Sequence, residues 1–127
     1  MSAARRWADA FRVAWLAGDG EAAAGLYAED CVFRSDPFRE LEDARAYMRT
    51  VVPEAEAPEV WFGEPVEAGD TAAIEYWALL VAPDGTQSTL AGVHRMRFGA
   101  DGLIVEARDC WNQEPGHRRR PRSGGSD

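Results

Sequence analysis

Two residues stand out as able to move a proton together: His94 and Asp109, in the run LAGVHRMRFGADGLIVEARDCWN at 90–112. The run reads as a β-hairpin, two period-2 strands joined by the turn Gly99-Ala100-Asp101-Gly102. In the first strand Leu90, Gly92, His94, Met96 and Phe98 share a face. In the second, Leu103, Val105, Ala107, Asp109 and Trp111 share one, opposite Ile104, Glu106, Arg108 and Cys110. The charges of Arg95, Arg97, Glu106 and Arg108 mark the wetter side, so the apolar face carrying His94 and Asp109 looks inward. If Phe98 faces Leu103 across the turn, His94 lies opposite Ala107 and Asp109 opposite Gly92. The two are then diagonal neighbours, roughly 7–8 Å apart along the backbone and within side-chain reach. An imidazole beside a carboxylate on an apolar wall suits general acid–base work. The same pair also reads as a buried hydrogen bond kept for structure alone.

The elements that must hold this pair follow from the rest of the chain. Residues 3–17 place Trp7, Ala10, Phe11, Ala14 and Trp15 at helical spacing, and Gly18 suits the C-terminal cap. A short helix is expected over 21–27, a strand over 31–35 closed by Asp36-Pro37, and a third helix over 41–51 stopped by Pro53. Residues 54–58 form an acidic linker. From 59 the period changes to two, with strands expected at 59–66 (an edge, given Pro65), 71–82, 86–98 and 103–112. Helices first and a meander of long strands afterwards describe an α+β domain, its helices packed on one face of a curved sheet. Three short helices only partly cover such a sheet, which leaves room for a ligand cavity or a partner surface.

Composition sets the bounds. The chain has 127 residues, enough for one domain, expected over 1–115. The rest, 116–127 (GHRRRPRSGGSD), reads as a disordered arginine-rich tail. All fourteen basic residues are arginine and the net charge is −8; the body before Gly116 alone carries −11. An acidic body repels phosphate backbones, so no nucleic-acid partner is expected. No apolar run approaches the ~20 residues of a membrane span, and MSAARRWADAF does not read as a secretory signal, so the expected setting is cytoplasmic, with no membrane partner. Cys31 and Cys110 lie within expected strands and read as buried thiols. The only other histidine is His117, no ligand spacing repeats, and no phosphate-loop, dinucleotide or nucleophile-elbow motif occurs, so no metal or cofactor is expected.

The runs AGDGEAAAGLYAEDCVFRSDP and LAGVHRMRFGADGLIVEARDCWN, with the third helix between them, resemble the nuclear-transport-factor-2-like (cystatin-like) superfamily. Within it the chain is similar to the SnoaL-like polyketide cyclases and the ketosteroid isomerases. The resemblance implies a cone-shaped half-barrel with a mostly antiparallel sheet, a cavity between sheet and helices, and a homodimer formed through the outer sheet face. The isomerases carry a tyrosine oxyanion donor where this chain has Phe11. Their general-base aspartate precedes a proline, as Asp36 does, although an ungapped match puts Ser35 there; their second oxyanion donor corresponds to His94. The polyketide cyclases pair a histidine with an aspartate on the last two strands, which His94 and Asp109 match. The resemblance therefore implies cofactor-free proton transfer (cyclase, isomerase or dehydratase chemistry) on an apolar carbonyl compound, with His94, Asp109 and Asp36 as catalytic candidates. A non-catalytic ligand-binding or dimerisation module is the alternative. Epoxide hydrolysis would need an inward arginine near His94, and Arg95 and Arg97 face the other way.

Phe11, Trp15, Tyr47, Trp77 and Trp111 are the candidate substrate-binding walls, although such aromatic residues also serve as plain core. Strand 71–82 is apolar on both faces. The resemblance favours Trp77, Leu79 and Val81 inside, whereas a three-residue turn at Pro83-Asp84-Gly85 would put Tyr76 on the side of His94. Asp36 also fits the commoner role of a turn-former before proline.

Overall fold

In the computed structural model, which describes residues 1–121, helix α1 (Ala3–Ala17) leads the chain. Ser2 caps it by accepting from the Arg5 amide, and Gly18 ends it in the left-handed region at φ 66°, returning its N–H to the Ala14 and Trp15 carbonyls. The apolar stripe Ala4, Trp7, Ala8, Phe11 and Ala14 is buried. Helix α2 (Gly20–Ala24) is shorter than the sequence suggests, because the chain turns at Gly25 and enters strand β1 (Tyr27–Arg34) four residues early. Tyr27 thereby becomes a strand residue with no exposure at all. Strand β2 (Glu42–Asp43) pairs with β1 and delays helix α3 (Ala44–Val51), which Asp43 caps.

The remaining strands are β3 (Glu56–Phe62), β4 (Val66–Ala68), β5 (Thr71–Val81), β6 (Gln87–Phe98) and β7 (Ile104–Pro115). They form one seven-stranded sheet in the order β2-β1-β7-β6-β5-β3, with β4 beside β5. Every described pairing is antiparallel except β1 with β7. The helices pack on one face of this curved sheet, and the core joins α1 and α3 to the inner side chains Phe33, Ile74, Met96, Ile104 and Ala107. No helix among the described residues is long and apolar enough to cross a membrane.

The hairpin register differs from the expected one by two residues. The turn keeps Leu103 within it (the Gly99 amide donates to the Leu103 carbonyl at 2.8 Å), so Phe98 pairs with Ile104. The pairing then shifts again between Arg97 and Phe98, leaving Val105 as an extra residue of the kind a β-bulge inserts. His94 consequently sits directly opposite Asp109. A slip of two preserves the faces, so the inward parity from Ala107 to Trp111 is as read. Ile104, expected outward, is fully buried because the bulge reverses parity ahead of it.

Residues 116–121, read as the start of a disordered tail, lie against the outer sheet face; residues 122–127 lie outside the described part. Gly116 turns the chain at φ 84° and donates to the Gln87 carbonyl at 2.9 Å. The buried Thr89 hydroxyl donates to the Gly116 carbonyl and accepts from the Arg118 amide, both at 2.8 Å. His117 meets Glu59 at 3.0 Å, and the Arg120 guanidinium stacks 3.8 Å from the Trp61 ring centre. The aromatic face of Trp61 on β3 gives Arg120 a partner that composition does not reveal.

Candidate active site

His94 projects from the middle of β6 into the space beneath α1. Trp7 lies flat on its ring, with centroids 5.0 Å apart and planes 6° from parallel. Tyr27, from β1, places its hydroxyl 3.1 Å from His94 Nε2. On the other side, Nδ1 faces Asp109 Oδ1 at 3.7 Å, close enough for charge attraction but beyond hydrogen-bond length. Asp109 is held by another phenol: the Tyr76 hydroxyl donates to Oδ1 at 2.9 Å and Oδ2 at 3.0 Å.

Burial, with the Asp109 charge second, pushes the pKa of both Tyr27 and Tyr76 well above the ordinary tyrosine value. Both remain phenols at neutral pH, and a phenol beside a carboxylate donates. The tautomer with its N–H at Nδ1 faces the Asp109 charge across 3.7 Å and leaves Nε2 to accept from Tyr27, while Tyr76 donates to the same carboxylate. The Trp7 indole N–H is near enough to Tyr27 to oppose that upward push, yet has no hydrogen-bond partner among the described residues. Side-chain exposure separates the pair: His94 shows 4% and Asp109 19%. Both line the cavity, and Asp109 is the more accessible of the two.

These groups open into a cavity of about 470 Å³ between sheet and helices, within the range of small-molecule sites. Phe11, Trp15, Tyr47 and Trp111 line it, as do Trp7, Phe62, Tyr76 and Leu80. Trp111 is pinned through its indole N–H to the carbonyl of the fully buried Ser35 at 2.7 Å. Trp77 requires correction. It lies on the outer face of β5, its indole N–H on Glu75 at 3.1 Å, because the turn Pro83-Asp84-Gly85 closes with Ala82 donating to Thr86 at 2.9 Å. That turn pairs Tyr76 with Gly92 and directs Tyr76 and Leu80, not Trp77 and Leu79, into the cavity. Asp36 stands outside the cavity: its carboxylate accepts from the Phe38 amide at 3.2 Å, the turn-forming role of an aspartate before proline.

Tyr76 is the alternative that a three-residue Pro83-Asp84-Gly85 turn offered, whereas Tyr27, Trp7 and Arg39 were not among the residues expected in the site. For Tyr27 the signal was Gly25, which ends the helix just before it. Trp7 on the helical stripe and Arg39 in a loop carried no signal of a site. Among the described residues no group of three or more His, Cys, Asp or Glu side chains could hold a metal ion.

The family model of the SnoaL-like domain matches residues 4–107. A search of the curated proteins found no match. Among solved structures, RV0760c from Mycobacterium tuberculosis superposes with a TM-score of 0.75 at 21% identity, over 91% of this chain and 98% of that one. That protein has also been solved in complex with estradiol-17beta-hemisuccinate. The Delta 5-3-ketosteroid isomerase from Mycobacterium sp. gives 0.69 at 21% identity, over 88% of this chain and 95% of that one. The epoxide hydrolase/cyclase-like enzyme SalBIII, of pyran ring formation in polyether salinomycin, gives 0.71 at 17%, over 86% and 92%. Likeness at such identities establishes the shared fold.

Proposed function

The chain belongs to the SnoaL-like domain family, and from that premise we propose that it binds an apolar carbonyl compound in the cavity and moves a proton on it without a cofactor. The observation that carries this reading is Asp109: a carboxylate on an aromatic wall, reachable by a ligand and backed by a buried imidazole. In the proposed step Asp109 takes a proton from the carbon beside the carbonyl. The C–H electron pair becomes the enolate, Asp109 becomes the acid, and the proton returns at the same or a conjugated carbon. His94 presents Nδ1–H toward Asp109 and steadies its charge, while Tyr76 fixes the plane of the carboxylate. Both are positioning residues. Isomerisation, ring closure and dehydration share this first step. A homodimer and a cytoplasmic setting complete the proposal, the former testable by sedimentation.

A second reading, ligand binding without turnover, is favoured by a specific observation. Phe11 has no hydroxyl, and the donors of Tyr27, Tyr76 and Trp111 are engaged within the protein, leaving few to meet an enolate oxygen. A melting scan with bicyclic and tricyclic ketones, followed by product analysis, separates the two. Raised Tm with altered ketone supports the enzyme; raised Tm with the ketone unchanged supports the binding module. No rise with any ketone would overturn both.

A further inference from the structure

We infer that the natural ligand of this cavity carries an acid group as well as its ring system, and that Arg39 receives it. The inference rests on the reading of the cavity as a ligand site and adds the chemical class. Arg39 is the arginine among the cavity-lining residues. Its guanidinium lies 5.9 Å from the centre of the Trp111 ring, and Nη1 donates to the Ser35 hydroxyl at 3.1 Å. Ser35, fully buried, passes its own hydrogen to Glu42. The guanidinium is therefore held by a hydroxyl and an aromatic face, with the Glu42 carboxylate one hydrogen bond removed through Ser35. Among the described residues no carboxylate lies within 4.0 Å of it.

Tyr47 supports the same assignment. Burial raises its pKa, and Arg39 and the nearby Ser35 side chain oppose that rise. A planar fork with donors to spare and a phenol beside it suit a carboxylate, which takes two parallel N–H bonds from one arginine. The other acids of the lining set the orientation. Asp109 repels an anion, so the acid group goes to Arg39 and the ring system extends across Trp111 toward Asp109; Glu54 is exposed at the rim. The ligand class is an aromatic or polycyclic carbonyl acid.

The test compares two probes with one ring system, 2-naphthoate and methyl 2-naphthoate, binding to the full chain in calorimetry at low salt. The expected result is acid binding at least tenfold tighter than ester. Arg39→Gln should erase that preference while leaving ester affinity within twofold, and Arg39→Lys should keep part of it. Equal affinity for acid and ester in the unaltered protein, or a preference that survives Arg39→Gln, overturns the inference while the cavity reading stands. Failure of both probes to bind overturns both. A melting scan of each variant confirms folding, which this exposed side chain should not disturb.

Discussion

Tyr76 reaches Asp109 across an intervening strand. Its partner across the sheet is Gly92 of β6, and Gly92 in turn faces Trp111 of β7, two residues beyond Asp109. Adjacent strands are about 4.8 Å apart, so the phenol spans roughly two spacings to donate to both carboxylate oxygens. It can do so because the residue beneath it has no side chain. One hydrogen shared between two oxygens fixes the carboxylate plane and leaves the outer lone pairs facing the cavity.

Tyr76→Phe should lower turnover about 10- to 100-fold, the scale of a misplaced catalytic group, with ligand affinity unchanged within about threefold. The measurement is kcat against KM for whichever ketone the binding scan selects. An unchanged kcat would relieve Tyr76 of the positioning role.

Gly92→Ala should destabilise the fold by about 1–3 kcal/mol or more, as overpacking does. A β-carbon there would run into the Cys110 carbonyl and lie 2.9 Å from Trp111 Cα, both backbone atoms that cannot swing aside. Urea unfolding measures the loss. Wild-type stability in this variant would mean that the two strands approach less closely than described.

Alkaline pH should unfold the protein through its buried phenols and thiol. Tyr27 and Tyr76 are raised above the ordinary value of 10.0, so the folded state keeps protons that the unfolded chain sheds. Cys31 behaves likewise, pushed from 9.0 to about 11, chiefly by burial. Their contribution is complete below about pH 9, then declines as pH rises, first through Cys31 and then through the tyrosines. Tm should fall steeply above about pH 10, and less steeply in Tyr27→Phe and Tyr76→Phe. Equal slopes in all three proteins would contradict the assignment.

The sequence made some of this legible and hid the rest for physical reasons. Period 2 in the last two strands placed His94 and Asp109 on one face, because parity survives any even slip of register. Their direct opposition was hidden, since it depends on where the turn closes and on the extra residue Val105, which composition does not mark. In β5 both faces are apolar, so Trp77 and Tyr76 were equivalent until the turn at Pro83-Asp84-Gly85 chose between them. Tyr27 was absorbed into a helical run that Gly25 ends two residues sooner.

The arginines after Gly116 looked like solvated tail for a related reason: their partners, Trp61 and Thr89, belong to distant strands. Deleting residues 116–127 should therefore cost about 1.5–4 kcal/mol, the sum of two side-chain hydrogen bonds and one cation–π contact. Trp61→Ala should lose a smaller part of the same stability. Urea midpoints of the three proteins measure this, and a truncated chain as stable as the whole would refute docking.

The central claim is that Asp109 exchanges protons with carbon. In deuterated buffer, NMR of 2-tetralone follows replacement of the hydrogens beside its carbonyl. The protein should accelerate that exchange, and Asp109→Asn should reduce the acceleration by about 100-fold or more, the scale of a lost general base, while retaining the fold and binding of the ketone. Exchange at the unaltered rate in Asp109→Asn would contradict the account.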